Sequence, residues 1–104
     1  MRVQFRRLAV TDLESIKAWG LEVWGVDRTD GFLADMRQSI ERLIRFPRLG
    51  RPHPALSPRL RSIRFGGYLI FYTVEPEGPT VARVLHERRD QTLIDLAAGS
   101  DDAS

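Results

Sequence analysis

The residues best suited to chemistry lie near the end of the chain, in the stretch RVLHERRD at residues 83–90. It combines one histidine, His86, with three arginines, Arg83, Arg88 and Arg89. Histidine titrates near neutral pH and can move protons, and arginines can stabilise charge that develops on a phosphate. The same residue types could therefore cleave RNA, grip a nucleic acid or form the rim of a protein interface.

Cleavage of RNA needs a general base or acid, together with cations aimed at the phosphate. His86 has no evident orienting partner in the sequence, and Glu87 beside it would repel a phosphate. We therefore interpret the stretch as a final strand followed by the charged rim of a binding surface, with no catalytic residue. The residues predicted to contact a target or an inhibitor are Arg61, Arg64, Arg83, His86, Arg88 and Arg89.

Length and composition suit one domain. The chain has 104 residues, of which 42% are hydrophobic and 29% charged, and we predict a single domain over residues 1–97 with a disordered tail at 98–104. With no cysteine and two histidines, a thiolate or zinc site is not expected, and neither is a cofactor. No apolar run approaches the roughly 20 residues that span a membrane, so a cytoplasmic protein is the expectation.

The positive charge is almost all arginine. The formal net charge is +2, and fifteen of the sixteen basic residues are arginines. No acid lies between Glu41 and Glu75, a stretch that contains seven arginines. Such a patch attracts an acidic protein or a nucleic acid, although an arginine-rich solvated surface would show the same pattern.

The first half of the chain predicts a strand and a helix. Residues 2–8 alternate apolar and polar side chains, which indicates a short strand. Thr11 and Glu14 have the spacing of a capping box, so we expect the first helix to begin there. Gly25 is placed to end this helix, and Gly20 within it could allow the close approach of a neighbour.

A second helix follows after a short connection, which predicts an antiparallel helix hairpin. Asp27, Thr29 and Asp30 are its candidate N-caps, and Trp19 and Trp24 are expected in the core of the hairpin. Its apolar face is marked at spacings of three and four residues by Phe32, Leu33, Met36, Ile40, Leu43 and Ile44. Pro47 ends the helix, and the proline-rich segment 47–58 predicts an irregular loop.

The second half predicts a three-stranded antiparallel meander. Its strands are expected at 60–65, 68–75 and 80–86, joined by short turns. The resulting α+β order is β-α-α-β-β-β, with the hairpin covering one side of the sheet. In the last strand Ala82 and Val84 should face the helices, and Arg83 should project from the open face. Asp90 could cap a last helical turn.

Several motifs, taken together, resemble the RelE/ParE superfamily of bacterial type II toxins, in its ParE branch. They are DLESI and the WG at 24–25, FLADMRQSIERLIRFPRLGRP, LRSIRFGGYLIFYTV and RVLHERRD, and the resemblance runs from about residue 3 to residue 90. One departure is Thr29-Asp30-Gly31, where many relatives carry alanine.

The resemblance implies the toxin half of a toxin–antitoxin pair. The implied partner is a ParD-like antitoxin with a ribbon-helix-helix DNA-binding part and an acidic C-terminal segment. ParE members are associated with poisoning DNA gyrase, so nucleic acid would be contacted only indirectly. RelE members cut mRNA in the ribosome, typically with basic residues on the central strands, where this chain has the apolar YLIFYTV. We therefore predict a gyrase inhibitor; the alternatives are a ribosome-dependent endoribonuclease and a non-toxic co-repressor of its antitoxin.

Overall fold

The computed structural model describes residues 2–97, so the predicted disordered tail at 98–104 lies outside the described residues. The predicted order of a strand, two helices and a strand meander is confirmed. The elements are β1 (Gln4–Phe5), α1 (Arg7–Val23), α2 (Val26–Arg45), β2 (Arg51–Pro52), β3 (Leu60–Phe65), β4 (Tyr68–Glu75), β5 (Gly78–His86) and α3 (Gln91–Ala97).

The strands form one sheet in the order β1-β5-β4-β3-β2. Strands β3, β4 and β5 are the predicted antiparallel meander, whereas β1 runs parallel to β5. The segment 47–58 is not wholly irregular, which corrects the prediction. Arg51 and Pro52 pair with β3, and proline is tolerated there because β2 is an edge strand.

Both helices begin earlier than their capping signals predicted. The backbone N–H of Arg6 still pairs with Val81 of β5, and the helical hydrogen bonds begin directly afterwards, so α1 starts at Arg7 and Thr11 lies inside it. Gly25, at a φ of 91°, reverses the chain within a single residue. Consequently α2 starts at Val26, and no side chain caps either helix.

The two helices of the hairpin approach closely at Gly20. A Cβ atom on Gly20 would lie 2.7 Å from the Oγ1 of Thr29, which is 1% exposed. Thr29 was predicted as a cap, but it instead fills the contact between α1 and α2. Its Oγ1 has no hydrogen-bond partner among the described residues. The glycine is therefore needed for space rather than for backbone conformation.

Two apolar clusters lie on opposite faces of the sheet. The helix hairpin packs on one face, where Ile16 and Met36 meet Ile70 and other strand side chains. The other face was predicted to be open, and this prediction is wrong. Ile94 of α3 packs there with Leu60, Phe71 and Leu85. Burial of one such aliphatic side chain contributes about 1.5–3 kcal/mol, which favours packing of the short helix on the sheet.

A β-bulge changes the side-chain alternation of β5. Phe71 pairs with Arg83, but its neighbour Tyr72 pairs with Val81, so Ala82 is the extra residue. Val81 and Val84 therefore both belong to the hairpin-side core. The predicted pairing of Ala82 with Val84 on one face did not allow for this bulge.

Candidate macromolecule-binding surface

The end of β5 and the turn after it are organised by His86 and Asp90. The backbone N–H groups of Arg88 and Arg89 both donate to His86 Nδ1 at 3.1 Å. The carboxylate of Asp90 accepts from the backbone N–H of His86 at 2.8 Å, rather than capping α3. Because Nδ1 is an acceptor, a neutral His86 ring carries its proton on Nε2. The imidazole therefore holds the turn that displays the two arginines.

Arg83 does not project freely from the sheet, which corrects the prediction for this residue. Its Nε and one terminal nitrogen donate to the carboxylate of Asp12 in α1, at 2.8 and 3.1 Å. The same carboxylate accepts from the backbone N–H of Val84 at 2.9 Å. Among the described strands, only β1 pairs with this edge of β5, and β1 ends before Val84. The Asp12 carboxylate therefore accepts from an edge N–H group that no strand reaches, and it also holds the Arg83 guanidinium. Hydrogen bonding to Asp12 raises the pKa of Arg83, which keeps it charged.

The two predicted arginines of β3 lie in different environments. Arg61 donates to the backbone carbonyls of Gly50 and Arg48, at 2.7 and 3.3 Å, and so holds the loop between α2 and β2. Arg64 forms an ion pair with Glu87 at 2.9 Å, yet its side chain remains 75% exposed. Of the two, Arg64 is the one with donors available to a partner.

Arg88 and Arg89 lie on an exposed surface that also carries aromatic rings. The side chain of Arg88 has no hydrogen-bond or ion-pair partner within residues 2–97. Arg89 donates to the hydroxyl of Tyr68 at 2.7 Å and lies over the ring of Trp19, 4.9 Å from its centroid. Burial raises the pKa of Tyr68, although the nearby Arg89 opposes that shift.

Aromatic rings continue this surface at the end of the helix hairpin where α1 and α2 are connected. Trp19 packs edge-on against Trp24 at 5.1 Å between ring centroids, and Arg28 lies over Trp24 at 4.7 Å. Trp19 is 38% exposed, so it is a surface residue rather than the core residue that was predicted. We call Trp19, Arg28, Arg88 and Arg89 the arginine–tryptophan surface. Residues far apart in sequence form it, and no sequence signal linked them.

The partner of Arg83 could not be predicted from the sequence. Asp12 was noted only as part of a family motif, because nothing in a helical pattern shows which carboxylate will reach a strand edge. No group of three metal-ligating side chains occurs among residues 2–97. Within the same part of the chain, none of the helices combines the length and apolar character that membrane crossing requires.

The fold matches chains from two solved toxin–antitoxin systems. A chain of the chromosomal ParDE system from P. aeruginosa superposes with a TM-score of 0.68 at 17% identity, over 83% of this chain and 95% of that one. A chain of the RelBE2 toxin–antitoxin complex from Mycobacterium tuberculosis gives a TM-score of 0.55 at 27% identity, over 82% and 95% of the two chains.

Sequence comparison narrows the class to one family. The family model described as the ParE toxin of the type II toxin–antitoxin system parDE matches residues 3–91. Toxin ParE1 of Mycobacterium tuberculosis is 36% identical over 83 residues, which are 79% of this chain and 85% of the relative. Toxin ParE1 of Caulobacter vibrioides is 28% identical over 81 residues, or 78% and 83% of the two chains. The chain belongs to the ParE toxin family, and it is a toxin of a type II toxin–antitoxin system.

Proposed function

We propose that this toxin inhibits DNA gyrase by binding to it, and that a cognate antitoxin neutralises it. Gyrase is the proposed target because the chain belongs to the ParE family, whose members are associated with poisoning DNA gyrase. The observation that carries the binding mechanism is the placement of the two side chains best suited to catalysis. Asp12 holds Arg83, and two backbone N–H groups occupy Nδ1 of His86.

These contacts occupy the groups that RNA cleavage would require. A catalytic arginine must be free to meet the phosphate, and a general base needs its acceptor nitrogen free. Arg83 is instead 27% exposed and paired with Asp12. In a neutral His86 the acceptor nitrogen is the one already hydrogen-bonded within the turn. Both side chains thus serve the fold, which favours a toxin that binds.

The arginine–tryptophan surface is the part of the molecule best suited to contact gyrase. Tryptophan and arginine are the residue types that most often dominate the energy of a protein interface. Stacking on Trp19 and the bond to Tyr68 fix Arg89 before binding, so little side-chain entropy is lost on association. Arg88 beside it is unpaired within the described residues and can pair with a carboxylate of the target.

An apolar groove of about 470 Å³ between α1 and α2 is the proposed site of the antitoxin. Phe5, Leu13, Leu33, Met36 and Ile40 supply its apolar lining. Such a groove takes the apolar face of an amphipathic helix. We propose that an antitoxin helix occupies it and that acidic residues of the antitoxin pair with basic residues on the toxin surface.

The target is tested by measuring supercoiling by purified gyrase in the presence of the toxin. Inhibition is expected, and Arg88→Ala should weaken it by about tenfold if that side chain is an interface anchor. Arg7→Ala is the matched control, since Arg7 is an exposed arginine about 18 Å from Trp19 along α1. Normal supercoiling at saturating toxin would overturn the proposal.

Expression in cells separates the alternatives. A gyrase inhibitor should cause filamentation and DNA damage. Cutting of mRNA at codon positions, lost in His86→Ala, would identify an endoribonuclease instead. Unaffected growth would identify a non-toxic co-repressor.

The antitoxin site is tested with a substitution in the groove. Ala34 is exposed and lines the groove, so Ala34→Arg should obstruct the antitoxin without disturbing the core. Growth arrest by this variant should persist when the antitoxin is co-expressed. Gln38→Arg adds the same charge to α2 outside the groove lining and should still be neutralised. Equal neutralisation of both variants would exclude the groove as the binding site.

A further inference from the structure

Four polar side chains of β2, β3 and the adjoining loop surround a second cavity, away from the arginine–tryptophan surface. Arg51 is the register partner of Ser62, and Arg64 follows Ser62 by two residues along β3. His53 likewise follows Arg51 by two residues, and its backbone N–H bonds to Leu60. Residues two apart in an extended chain share a face. The four side chains line a cavity of about 400 Å³ together with three aliphatic side chains.

The base of this cavity is a fixed pair of polar groups. His53 Nε2 and Ser62 Oγ lie 2.8 Å apart, and Ser62 is only 6% exposed. The imidazole also packs against Phe71, with 5.4 Å between ring centroids. Burial, and then the charge of Arg51, lower the pKa of His53, which favours the neutral ring. When Nε2 donates to Ser62, the serine hydroxyl keeps its own proton for a ligand.

The charges around the cavity are positive. Arg51 is exposed and has no hydrogen-bond or ion-pair partner within residues 2–97. Arg64 uses one terminal nitrogen for Glu87, which is not a lining residue, and keeps its other donors. Two guanidinium groups and a hydroxyl therefore line the same space, and the Glu87 carboxylate outside the lining offsets part of the charge of Arg64. A phosphate group has enough acceptor oxygens for all three, and arginine binds it through paired hydrogen bonds.

We propose that Arg51, His53, Ser62 and Arg64 form a pocket for a phosphate group of a DNA backbone. DNA is favoured because the sequence that leads to β2 carries three further arginines and no acid. Arg42 and Arg45 lie in the last turn of α2 and Arg48 in the loop, and no side-chain partner is present for them within residues 2–97. A basic stretch of this kind attracts the repeated charge of a nucleic-acid backbone. This contact does not depend on gyrase being the target.

The test uses the purified full chain without gyrase. Inorganic phosphate and a short DNA duplex are titrated separately while the imidazole NMR signals of His53 and His86 are followed. Both ligands are expected to shift the His53 signals more than those of His86, because only His53 lines the pocket.

Binding of a labelled duplex at several salt concentrations measures the contribution of Arg51. Arg51→Ala should weaken binding by about tenfold and reduce the salt slope by about one. Arg7→Ala removes the same charge at the opposite edge of the sheet and should leave the slope unchanged. Arg51→Lys should restore part of the affinity, since it keeps the charge but not the paired donors.

Each of the following outcomes would overturn the proposal. Equal losses in Arg51→Ala and Arg7→Ala would show attraction by net charge without a pocket. Shifts of His53 with phosphate but not with DNA would assign the pocket to a small anion. Shifts with polyglutamate equal to those with DNA would assign it to an acidic peptide, and no shift with any ligand would rule out the pocket.

Discussion

Removal of the Asp12 carboxylate is expected to destabilise the fold more than any other single change to its surface ion pairs. This carboxylate accepts three hydrogen bonds, two from Arg83 and one from the backbone N–H of Val84. It is 14% exposed, and the Arg83 side chain is 27% exposed. In Asp12→Ala, the guanidinium and the N–H group both lose their partner on the uncovered edge of β5.

The size of the effect follows from this burial. A hydrogen bond to a charged group contributes about 1.5–3 kcal/mol, and breaking a fully buried ion pair costs about 3–5 kcal/mol. Because water can still reach part of Arg83, we expect Asp12→Ala to lower the free energy of unfolding by about 2–4 kcal/mol. Arg83→Ala should cost less, about 1–2 kcal/mol, since Asp12 then keeps its bond to Val84.

Urea denaturation followed by tryptophan fluorescence measures both changes and, with the double variant, their coupling. We expect a coupling energy of about 1–2 kcal/mol, as for residues in direct contact. Arg88→Ala is the control: this arginine has no side-chain partner within residues 2–97, and its loss should change stability by less than about 0.5 kcal/mol. The reasoning is refuted if Asp12→Ala costs no more than the control, or if the coupling energy is zero.

Three further predictions concern packing and protonation. Gly20→Ala should destabilise the fold by about 1–3 kcal/mol, because the new Cβ would lie 2.7 Å from Thr29. Gly31→Ala is the control: its Cβ would enter open space, and the change should stabilise the fold by up to about 1 kcal/mol. Equal effects of the two substitutions in denaturation curves would contradict this. Burial raises the pKa of Tyr72, so stability should fall as the pH rises above about 10. Tyr72→Phe should weaken that dependence, and the part due to Tyr68 should remain; an unchanged pH profile would count against this role of Tyr72. Burial and a neighbouring arginine lower the pKa of His53, so its contribution to folding stability is present above about pH 6.5 and is lost as the pH falls. His53→Gln should therefore flatten the acid side of the curve of stability against pH. An unchanged acid side would exclude this role.

The sequence determined the fold because its signals are local and agree with one another. The apolar spacing from Phe32 to Leu43 specifies one buried helix face, and Gly66-Gly67 specifies a tight turn between two strands. The predicted helix starts were wrong for two reasons, one a long-range contact and the other a local backbone conformation. The pairing of Arg6 with β5 started α1 early, and Gly25 left no room for a capping residue.

The candidate sites could be predicted only in part. The stretch 83–90 was correctly located as a strand end followed by a charged turn, since that follows from a change in composition over eight residues. The roles of its members depend on partners far away along the chain. Asp12 lies 71 residues before Arg83, and Trp19, over whose ring Arg89 lies, comes 70 residues before that arginine.

Sequence alone thus determined the helix hairpin, the strand meander, their order and the family, but neither β2 nor the packing of α3 on the sheet. Periodicity, turn residues and motifs are properties of neighbouring residues, so they can be recognised without knowing the tertiary contacts. Only the tertiary structure decided which arginines are available to a partner. A guanidinium looks the same in any sequence, and its availability depends on whether folding brings a carboxylate, a carbonyl or an open cavity to it: Asp12 for Arg83, the loop carbonyls for Arg61, and a cavity for Arg51.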